Sequence, residues 1–272
     1  MTQTILITGA SDGIGLEIAR QAAASGAKTI LLARNAEKLK SVVAALPNPE
    51  RHEAAVVDLT ETSQIEEFLA SLDARGIVPD VLVNNAGHGA SGPLSDTDWA
   101  KLAAMLQVNV AALTQLTHWG AQRMKAKGRG AIVNLSAAVA TRPTPYFAAY
   151  AATKAFVTSI SLAADKELRG HGVTVSAVHP PAVQTSFADP AKADLRSTLV
   201  LKLFPSVTAA SVARAVLKAA RTGRRSVVVG PIAGVIMASA PVMPRGLDLA
   251  FMSLLFRGRR LPATDLQPRA QR

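Results

Sequence analysis

Tyr150 and Lys154 place a phenol and an ammonium one helical turn apart, in the stretch Tyr150-Ala-Ala-Thr-Lys154. Residues four apart share a helix face, so the Lys154 ammonium can lie near the Tyr150 hydroxyl. A free tyrosine, with a pKa of about 10, is a poor acid–base catalyst at neutral pH, and a nearby positive charge lowers that pKa. We therefore expect Tyr150 to exchange a proton with a substrate. The spacing alone also fits a tyrosine with an exposed lysine on the next turn.

A glycine-rich turn follows the first apolar run, from Thr8 to Gly15. Glycines there permit a tight turn, a close approach of the backbone to a pyrophosphate, and close packing of the helix on the strand. The helix that follows would direct free amides and its positive dipole end at that phosphate. The spacing Gly-x-x-x-Gly-x-Gly differs from the commoner Gly-x-Gly-x-x-Gly, and a purely structural turn is the alternative. The predicted dinucleotide contacts in this turn are Gly9, Ser11, Gly13, Ile14 and Gly15.

Short apolar runs alternate with amphipathic stretches, which is typical of a parallel sheet covered by helices on both faces. Because crossovers between parallel strands are right-handed, the sequence predicts an α/β fold with a doubly wound, seven-stranded parallel sheet. The amphipathic stretches lie near residues 14–25, 35–46, 61–73, 98–120, 147–168 and 208–221. The predicted strands are Thr4–Thr8, Thr29–Ala33, Ala54–Val57, Val81–Val83, Ala131–Leu135, Val173–Val178 and Ser226–Val229.

Composition limits the class of protein further. With 272 residues, 49% of them hydrophobic, the chain can bury one large core. It has no cysteines, which excludes disulfides, thiol catalysis and Cys-ligated zinc. His88 and His179 could line the pocket, but because they lack spaced His, Asp or Glu partners we interpret them as loop or core histidines and predict no metal site. Because a strand pattern begins at Thr4, we expect no targeting segment and a cytoplasmic location.

The net charge of +11 is unevenly distributed. Residues 1–100 carry 7 Lys/Arg and 13 Asp/Glu, whereas residues 101–272 carry 23 and 6. This asymmetry predicts an anionic partner for the C-terminal half: cofactor phosphates, an acidic carrier or acyl thioester, or an anionic membrane surface. Nucleic acid is disfavoured, because only 4% of residues are aromatic and the sequence has no helix-turn-helix, zinc or single-strand-binding signature.

Two apolar segments lie near the C-terminus. Ser226–Pro244 has 19 residues without a charge, about the length that crosses a membrane. Internal Gly and Pro residues interrupt it, so we predict a last core strand, a turn and a buried helix. Leu247–Phe256 contains a single acid, Asp248, and arginines follow it at positions 257, 259 and 260. This segment fits a pocket lid, a subunit contact or a shallow interfacial helix, with plain core packing as the alternative.

Together these motifs resemble those of the short-chain dehydrogenase/reductase family, in the family's order from Thr8 to about Thr185. Beside the glycine turn they include Asp58-Leu59, Asn84-Asn85-Ala86-Gly87, Asn109, and Tyr150 with Lys154. The resemblance implies an NAD(P)(H)-dependent oxidoreductase on a seven-stranded Rossmann sheet. It also implies a homodimer or a homotetramer.

By this resemblance Tyr150 is the general acid that protonates a carbonyl oxygen as hydride leaves the nicotinamide. Lys154 lowers the tyrosine pKa and hydrogen-bonds the nicotinamide ribose. Asn109 holds a water that links Lys154 to solvent, with a solvated helix asparagine as the alternative. Asp58, with Leu59 beside it, accepts from the adenine amino group. The residues implied to line the ribose and carboxamide regions are Asn85, Ala86, Gly87, Val183 and Thr185.

The end of the second strand bears on the choice of cofactor. NAD-preferring relatives usually carry an acid there, whereas this chain has Ala33 followed by Arg34. A guanidinium suits a 2′-phosphate, and Ser11 could add a hydroxyl donor. The Asp12 carboxylate argues against a bound phosphate, but its position at a helix N-terminus explains its presence as a helix cap. We expect NADPH to be preferred over NADH.

Ala137 departs from the family pattern, because the family's catalytic serine normally lies at this position, thirteen residues before the tyrosine. Ser136 stands one residue too early. Successive side chains on a strand point to opposite faces, so Ser136 replaces the missing serine only if the strand is bulged. We therefore expect carbonyl polarisation to rest mainly on Tyr150, with Thr141 or Thr144 as an additional pocket hydroxyl.

The loops around the expected substrate site depart as well. Pro180-Pro181 stands where the family has Pro-Gly, and Pro181 has no backbone N–H, so contacts to the carboxamide are expected to change. Tyr146 is interpreted as pocket lining. The segment Asp189–Pro205 and the C-terminal region are expected to shape the substrate pocket.

Three functions fit these observations. The first is an NADPH-dependent carbonyl reductase, reversible as an alcohol dehydrogenase, for a small molecule that is apolar or an acyl-carrier thioester. The second is an NADPH-binding sensor or scaffold with little catalysis, which Ala137 favours. The third adds peripheral contact with a membrane surface. The predicted organisation is an NADP-binding Rossmann domain with the catalytic residues over 1–230, a C-terminal helical extension over 231–261 and a flexible tail over 262–272.

Overall fold

Seven parallel strands form the central sheet of the computed structural model, which describes residues 3–184 and 206–256. Their order is β3-β2-β1-β4-β5-β6-β9, so the predicted doubly wound sheet is confirmed. Two short strands, β7 and β8, pair separately. The bounds are β1 (Thr4–Thr8), β2 (Lys28–Ala33), β3 (Glu53–Val56), β4 (Val81–Asn84), β5 (Gly130–Leu135), β6 (Val173–His179), β7 (Val183–Gln184), β8 (Val207–Thr208) and β9 (Ser226–Val228).

Helices cover both faces of this sheet. They are α1 (Gly13–Ala24), α2 (Ala36–Ala44), α3 (Thr62–Ala74), α4 (Trp99–Leu106), α5 (Leu113–Lys127), α6 (Ala148–Leu168), α7 (Ala209–Thr222), α8 (Pro231–Ser239) and α9 (Arg245–Phe256). Strand β1 shows the alternation: Ile5 and Ile7 pack in a core with α1, α2 and α7, whereas Leu6 packs in a second core with α3 and α5. Burial of both faces explains why the strands are continuous apolar runs.

The chain reverses its direction of travel across the sheet between β1 and β4. From β1 it proceeds outward to β2 and β3, then crosses back to β4 and proceeds the other way. The loops that leave β1 and β4 therefore diverge, and a crevice opens between them at the carboxyl ends of the strands. The glycine turn and the Asn85-Ala86-Gly87 segment follow these two strands and flank that crevice.

The helix predicted over residues 98–120 is two helices in the structure. A π-helical turn at Gln107–Ala112 joins α4 to α5, and α5 continues to Lys127. Hydrophobic periodicity did not reveal the π turn, because the pattern of apolar residues does not show which backbone groups hydrogen-bond to each other. Such turns are frequent at functional sites, and this one contains Asn109.

The segment Ser226–Pro244 begins as predicted, with a strand and a turn at Gly230. The expected buried helix is only partly correct, since Ala233 of α8 is buried but Val235 is 69% exposed. Within the described ranges, no helix is both long enough and apolar enough to span a bilayer. The predicted substrate segment Asp189–Pro205 and the tail over 262–272 lie outside the described residues.

Candidate active site

The glycine turn forms a cradle of exposed backbone between β1 and α1. Gly9 has a left-handed φ of 66°. A Cβ at Gly15 would lie 2.2 Å from the Gly9 carbonyl oxygen and 2.5 Å from Asn85 Nδ2, so only glycine fits there. The Asp12 carboxylate accepts from the Gly13 N–H and caps the helix, as expected. The turn can therefore bring backbone amides close to a pyrophosphate.

Thr8 ties the ends of β1 and β4 together at the crevice. Its hydroxyl accepts from the backbone N–H groups of Asn85 and Ala86, at 3.0 and 2.9 Å. The Asn85 side-chain amide donates in return to the Thr8 carbonyl at 2.9 Å. Gly87 lies next, where a Cβ would be 3.4 Å from Lys154 Nζ. These contacts hold the backbone of 85–87 along the crevice wall, where the resemblance placed it.

Asn109 is fully buried, so its interpretation as a solvated helix asparagine is wrong. Its Oδ1 accepts from the His88 N–H and its Nδ2 donates to the His88 carbonyl, both at 2.9 Å. Nδ2 also donates to Thr153 Oγ1 at 3.1 Å, and Thr153 donates to the Tyr150 carbonyl at 2.7 Å. Asn109 thus joins the loop after β4 to the helix that carries Tyr150.

Tyr150 and Lys154 lie on the first turns of α6, facing the crevice. The Lys154 ammonium is 5.7 Å from the centre of the Tyr150 ring and donates to the Leu135 carbonyl at 2.8 Å. Lys154 is only 5% exposed, so the alternative of an exposed lysine is wrong. The Phe147 ring packs edge-on against Tyr150, with ring centres 5.7 Å apart.

The expected lowering of the tyrosine pKa is not found in the protein by itself. Burial raises the pKa of Tyr150 to about 12. Burial also lowers the pKa of Lys154 to about 8, because an ammonium loses hydration in the crevice. Burial thus shifts the pKa of each group in the direction that favours its neutral form.

Ser136 is among the residues that line the crevice, but its hydroxyl is bonded to α6. Its hydroxyl donates to the Lys154 carbonyl at 2.9 Å and lies 2.8 Å from Thr158 Oγ1. The pairing of β5 with β6 is regular up to Leu135, and Ala137, just beyond the strand, is extended with φ −158° and ψ 160°, so no bulge precedes it. Ala137 consequently lines the crevice without a hydroxyl, and Ser136 serves to anchor the helix that carries Lys154.

The prediction that Thr141 or Thr144 supplies a pocket hydroxyl near Tyr150 is wrong. Thr141 donates to the Ala138 carbonyl and Thr144 to the Arg142 carbonyl, and neither lines the crevice. The prediction that Tyr146 lines the pocket is also wrong. Among the described residues that line it, the neighbouring Phe147 is present and Tyr146 is not. Tyr146 adopts a left-handed φ of 64°, a conformation that costs about 1–3 kcal/mol outside glycine and is concentrated at functional sites.

Arg34, Asp58 and Leu59 lie together at the outer end of the crevice, with Ser11 and Ile14 of the glycine turn. Arg34 Nη1 is 3.9 Å from Asp58 Oδ2. Burial raises the pKa of Asp58, but hydrogen bonds from the Thr60 N–H and hydroxyl and the charge of Arg34 outweigh it and hold that pKa below its usual range. The carboxylate is thus an ionised acceptor beside a guanidinium.

The loop after β6 closes the inner end of the crevice. Pro180, Pro181 and Val183 line it, and the Pro180 carbonyl accepts from the Ala138 N–H at 2.9 Å. Thr185 lies outside the described residues. His179, the last residue of β6, is fully buried and belongs to the core, as expected.

The C-terminal helices form an apolar wall of the cavity that contains Tyr150. The sequence had left four alternatives open for the role of the segment Leu247–Phe256. From α8 and α9 the lining residues are Ile236, Phe251, Met252, Leu255 and Phe256. With the crevice they enclose a cavity of about 590 Å³. The pocket-lid interpretation of α9 is therefore supported by direct contact, although Leu247 and Leu254 of the same helix are exposed.

Arg142 is a site residue that sequence reasoning missed. It follows the loop after Ala137 and is 5% exposed. Nη1 donates to Asp248 Oδ1 at 2.7 Å, and Nη2 donates to the Ser239 hydroxyl at 2.8 Å and to the Ile236 carbonyl. This one guanidinium therefore attaches both C-terminal helices to the loop beside the crevice. No local pattern could have shown it, because Asp248 lies 106 residues further along the chain.

The fold and the crevice at its switch point define a Rossmann-type dinucleotide-binding protein. A family model described as short chain dehydrogenase matches residues 3–196. The chain thus belongs to the short-chain dehydrogenase family, and it is a nicotinamide-dependent oxidoreductase acting on CH–OH and C=O groups.

Several known proteins illustrate this relationship. Serine 3-dehydrogenase from Agrobacterium fabrum is 34% identical over 69% of this chain and 74% of its own. A very-long-chain 3-oxoacyl-CoA reductase from Pyrenophora tritici-repentis is 30% identical over 91% of this chain and 70% of its own. The structure also resembles a short-chain dehydrogenase from Sphingobium yanoikuyae in complex with NADPH, with 28% identity, a TM-score of 0.76, and coverage of 99% of this chain and 98% of that one.

Proposed function

We propose that this protein is an NADPH-dependent carbonyl reductase in which Tyr150 donates the proton. One observation carries the proposal. A single cavity of about 590 Å³ extends from the glycine turn and Arg34, past Tyr150 and Lys154, to an apolar wall. It offers room for a dinucleotide and for a substrate that meets it at the tyrosine hydroxyl.

The glycine cradle supports the fit of such a cofactor. Side chains at Gly9 or Gly15 would collide with the 85–87 segment, so these glycines keep the phosphate end of the crevice open. The bound nicotinamide would supply the hydride. Asp58 would accept from the adenine amino group, and Lys154 would donate to the nicotinamide ribose once it turns from the Leu135 carbonyl.

Tyr150 is suited to the reducing direction. Since burial raises its pKa to about 12, the phenol keeps its proton at neutral pH. It would donate that proton to the carbonyl oxygen as the oxygen gains negative charge. The lysine, with its pKa lowered to about 8, would return a proton to the phenolate, and by the family resemblance Asn109 would hold a water that links Lys154 to solvent. Oxidation would need the rarer phenolate.

Arg34 supports a preference for NADPH. Its side chain is 59% exposed at the outer end of the crevice, so it can turn to a 2′-phosphate without loss of a buried contact. A charge-assisted bond contributes about 1.5–3 kcal/mol, or roughly ten- to a hundredfold in affinity. Arg34→Ala should weaken NADPH binding by that factor and leave NADH binding unchanged, as measured by fluorescence titration. The matched control is Arg20→Ala, at an exposed arginine on α1; an equal loss for NADH would contradict the assignment.

The apolar wall favours an apolar carbonyl substrate. Phe147, Phe251, Met252 and Leu255 line the same cavity as Tyr150, and a related chain is named a very-long-chain 3-oxoacyl-CoA reductase. Turnover with ketones, aldehydes and 3-oxoacyl thioesters of increasing chain length would test this. Apolar and long-chain substrates should show the highest kcat/KM; activity confined to small charged carbonyls would contradict the substrate class.

Ala137 favours a second candidate, a sensor or scaffold that binds NADPH with little catalysis. The same panel decides between the two. A sensor binds NADPH but oxidises it with no substrate, whereas a reductase that lacks one oxyanion donor is slowed by about 10²–10³ and still turns over.

The remaining proposals concern organisation. We place residues 1–230 in the NADP-binding domain, 231–261 in a C-terminal extension and 262–272 in a tail.

A groove between α5 and α6, lined by apolar and polar side chains including Ala121 and Ile160, fits contact between subunits of a homodimer or homotetramer. We place the protein in the cytoplasm, with the outer face of α8 and α9 in contact with a membrane surface. Light scattering and cell fractionation would test the assembly and the location.

A further inference from the structure

His88 lies beside Arg34 at the outer end of the crevice. The His88 Nε2 atom is 3.5 Å from Arg34 Nη2, and both residues line the cavity. The backbone of His88 is held on both sides by the buried Asn109, with two hydrogen bonds of 2.9 Å. The imidazole therefore projects from a rigid part of the chain, next to a guanidinium whose side chain is more than half exposed.

The contact between these two side chains depends on the protonation of His88. A guanidinium only donates hydrogen bonds, so a neutral imidazole must offer the lone pair of Nε2 to Arg34. A protonated imidazole has no lone pair there, and its charge repels Arg34. An anion that accepts from both groups removes this conflict. The two side chains thus form a site whose protonated state needs an anion between them.

The charged groups around the imidazole are Arg34, which follows β2, and Asp58, which follows β3. Burial and the charge of Arg34 lower the pKa of His88 below its ordinary value, while Asp58 acts in the opposite direction. Asp58 approaches the other guanidinium nitrogen, Nη1, and its carboxylate accepts from Thr60. Asn109, the other contact of this loop, is neutral. In the protein without cofactor, His88 is therefore predominantly neutral at pH 7.

We propose that His88 is a second ligand of the 2′-phosphate of NADPH, beside Arg34, and that it takes up a proton when NADPH binds. A solvent proton adds to Nε2, which then donates to a phosphate oxygen while Arg34 donates to another. This inference rests on the NADPH preference proposed above and adds a property that Arg34 alone cannot have. NADH, which lacks the phosphate, gives no such uptake.

Whether NADPH binding takes up or releases protons distinguishes a contribution of His88 from binding by Arg34 alone. A phosphate monoester has a second pKa of about 6, so binding to Arg34 alone favours the dianion and releases protons. Protonation of His88 takes protons up. Each unit by which the phosphate raises the His88 pKa makes NADPH binding up to about tenfold tighter below that pKa than above it. NADPH affinity should therefore fall as pH rises through neutrality, whereas NADH affinity should not.

Calorimetry in two non-phosphate buffers of different ionisation enthalpy measures the protons exchanged. NADPH and NADH are each titrated between about pH 6 and pH 8. The variants are His88→Asn, which cannot be charged, and His88→Gln in case the first is unstable. His171→Asn, at an exposed histidine outside the crevice, is the matched control.

We expect net proton uptake on NADPH binding in the wild type and in His171→Asn. The His88 variants should lose this uptake, and their NADH affinity should stay unchanged. Uptake that persists in both His88 variants, or net release in the wild type, overturns the role of His88. In that case an intact preference for NADPH over NADH leaves the proposed function standing. If the wild type binds the two cofactors equally, the NADPH preference itself fails.

Discussion

At the scale of single residues, we expect Ala137 to limit the rate of the proposed reduction. It lines the crevice two residues beyond the end of β5, whereas the Ser136 hydroxyl is bonded to α6. A serine at position 137 would restore one donor to the developing oxyanion. Ala137→Ser should therefore raise kcat on the best panel substrate by up to about 10²–10³-fold.

Two variants serve as its controls. Ser136→Ala should change kcat little, because it removes only an anchor of the helix, while Tyr150→Phe should abolish turnover. If Ser136→Ala were as damaging as Tyr150→Phe, the serine would have to reach the substrate by a movement that this geometry does not show.

Lys154 makes the stability of the protein depend on pH. Its folded pKa is lowered to about 8 from an ordinary 10.5, so between those values the unfolded chain binds more protons than the folded one. The folded state therefore gains stability as pH rises through this window and loses it as pH falls towards 8. Relative to Lys154→Met, wild type without cofactor should gain up to about 3 kcal/mol, measured by urea unfolding across that window. The exposed Lys166→Met is the matched control, and a difference that stays flat with pH would contradict the burial effect.

At the scale of elements, the Arg142–Asp248 ion pair attaches the C-terminal helices to the loop beside the crevice. The two side chains are 2% and 7% exposed. Arg142→Met should cost about 3–5 kcal/mol of unfolding free energy, because it leaves Asp248 buried and unpaired. The double variant Arg142→Met/Asp248→Leu should regain most of that loss, since no buried charge remains.

Unfolding in urea measures both variants of this pair. Arg75→Met, which breaks an exposed pair with Glu53, is the matched control and should cost at most about 1 kcal/mol. A double variant as unstable as the single one would show that the hydrogen bonds from Arg142 to Ser239 and Ile236, rather than the charge pair, hold the helices.

At the scale of the whole molecule, the C-terminal helix α9 and the turn before it expose Val242, Leu247 and Leu254, each by 65% or more. In sequence, arginines follow at positions 257, 259 and 260. An apolar face next to basic residues suits the surface of an anionic bilayer. Leu247→Glu/Leu254→Glu should therefore lower co-sedimentation with anionic vesicles severalfold and leave turnover of a soluble ketone unchanged.

A matched substitution, Leu94→Glu, changes a comparably exposed leucine outside the C-terminal helices and should sediment like the wild type. Equal sedimentation of all three proteins would contradict the membrane contact and favour the alternative of a subunit interface. Deletion of residues 247–272 is a poorer test, because it removes Asp248 and leaves Arg142 buried without its partner.

Local signals in the sequence determined the sheet and the crevice. Strand runs bounded by turns, and the glycine turn between strand and helix, depend on neighbours a few residues away. They predicted the doubly wound parallel sheet. The spacing of Tyr150 and Lys154 likewise reflects one helical turn. Proximity of these residues could therefore be predicted without coordinates.

Only the tertiary structure decided the state of those groups, because hydration and hydrogen bonding depend on what packs around them. Burial, not the neighbouring charge, sets the direction of the Tyr150 and Lys154 pKa shifts. The π turn buries Asn109 and bonds it to His88. The link from Arg142 to Asp248 spans 106 positions of the chain, a distance over which no periodic or local pattern carries information.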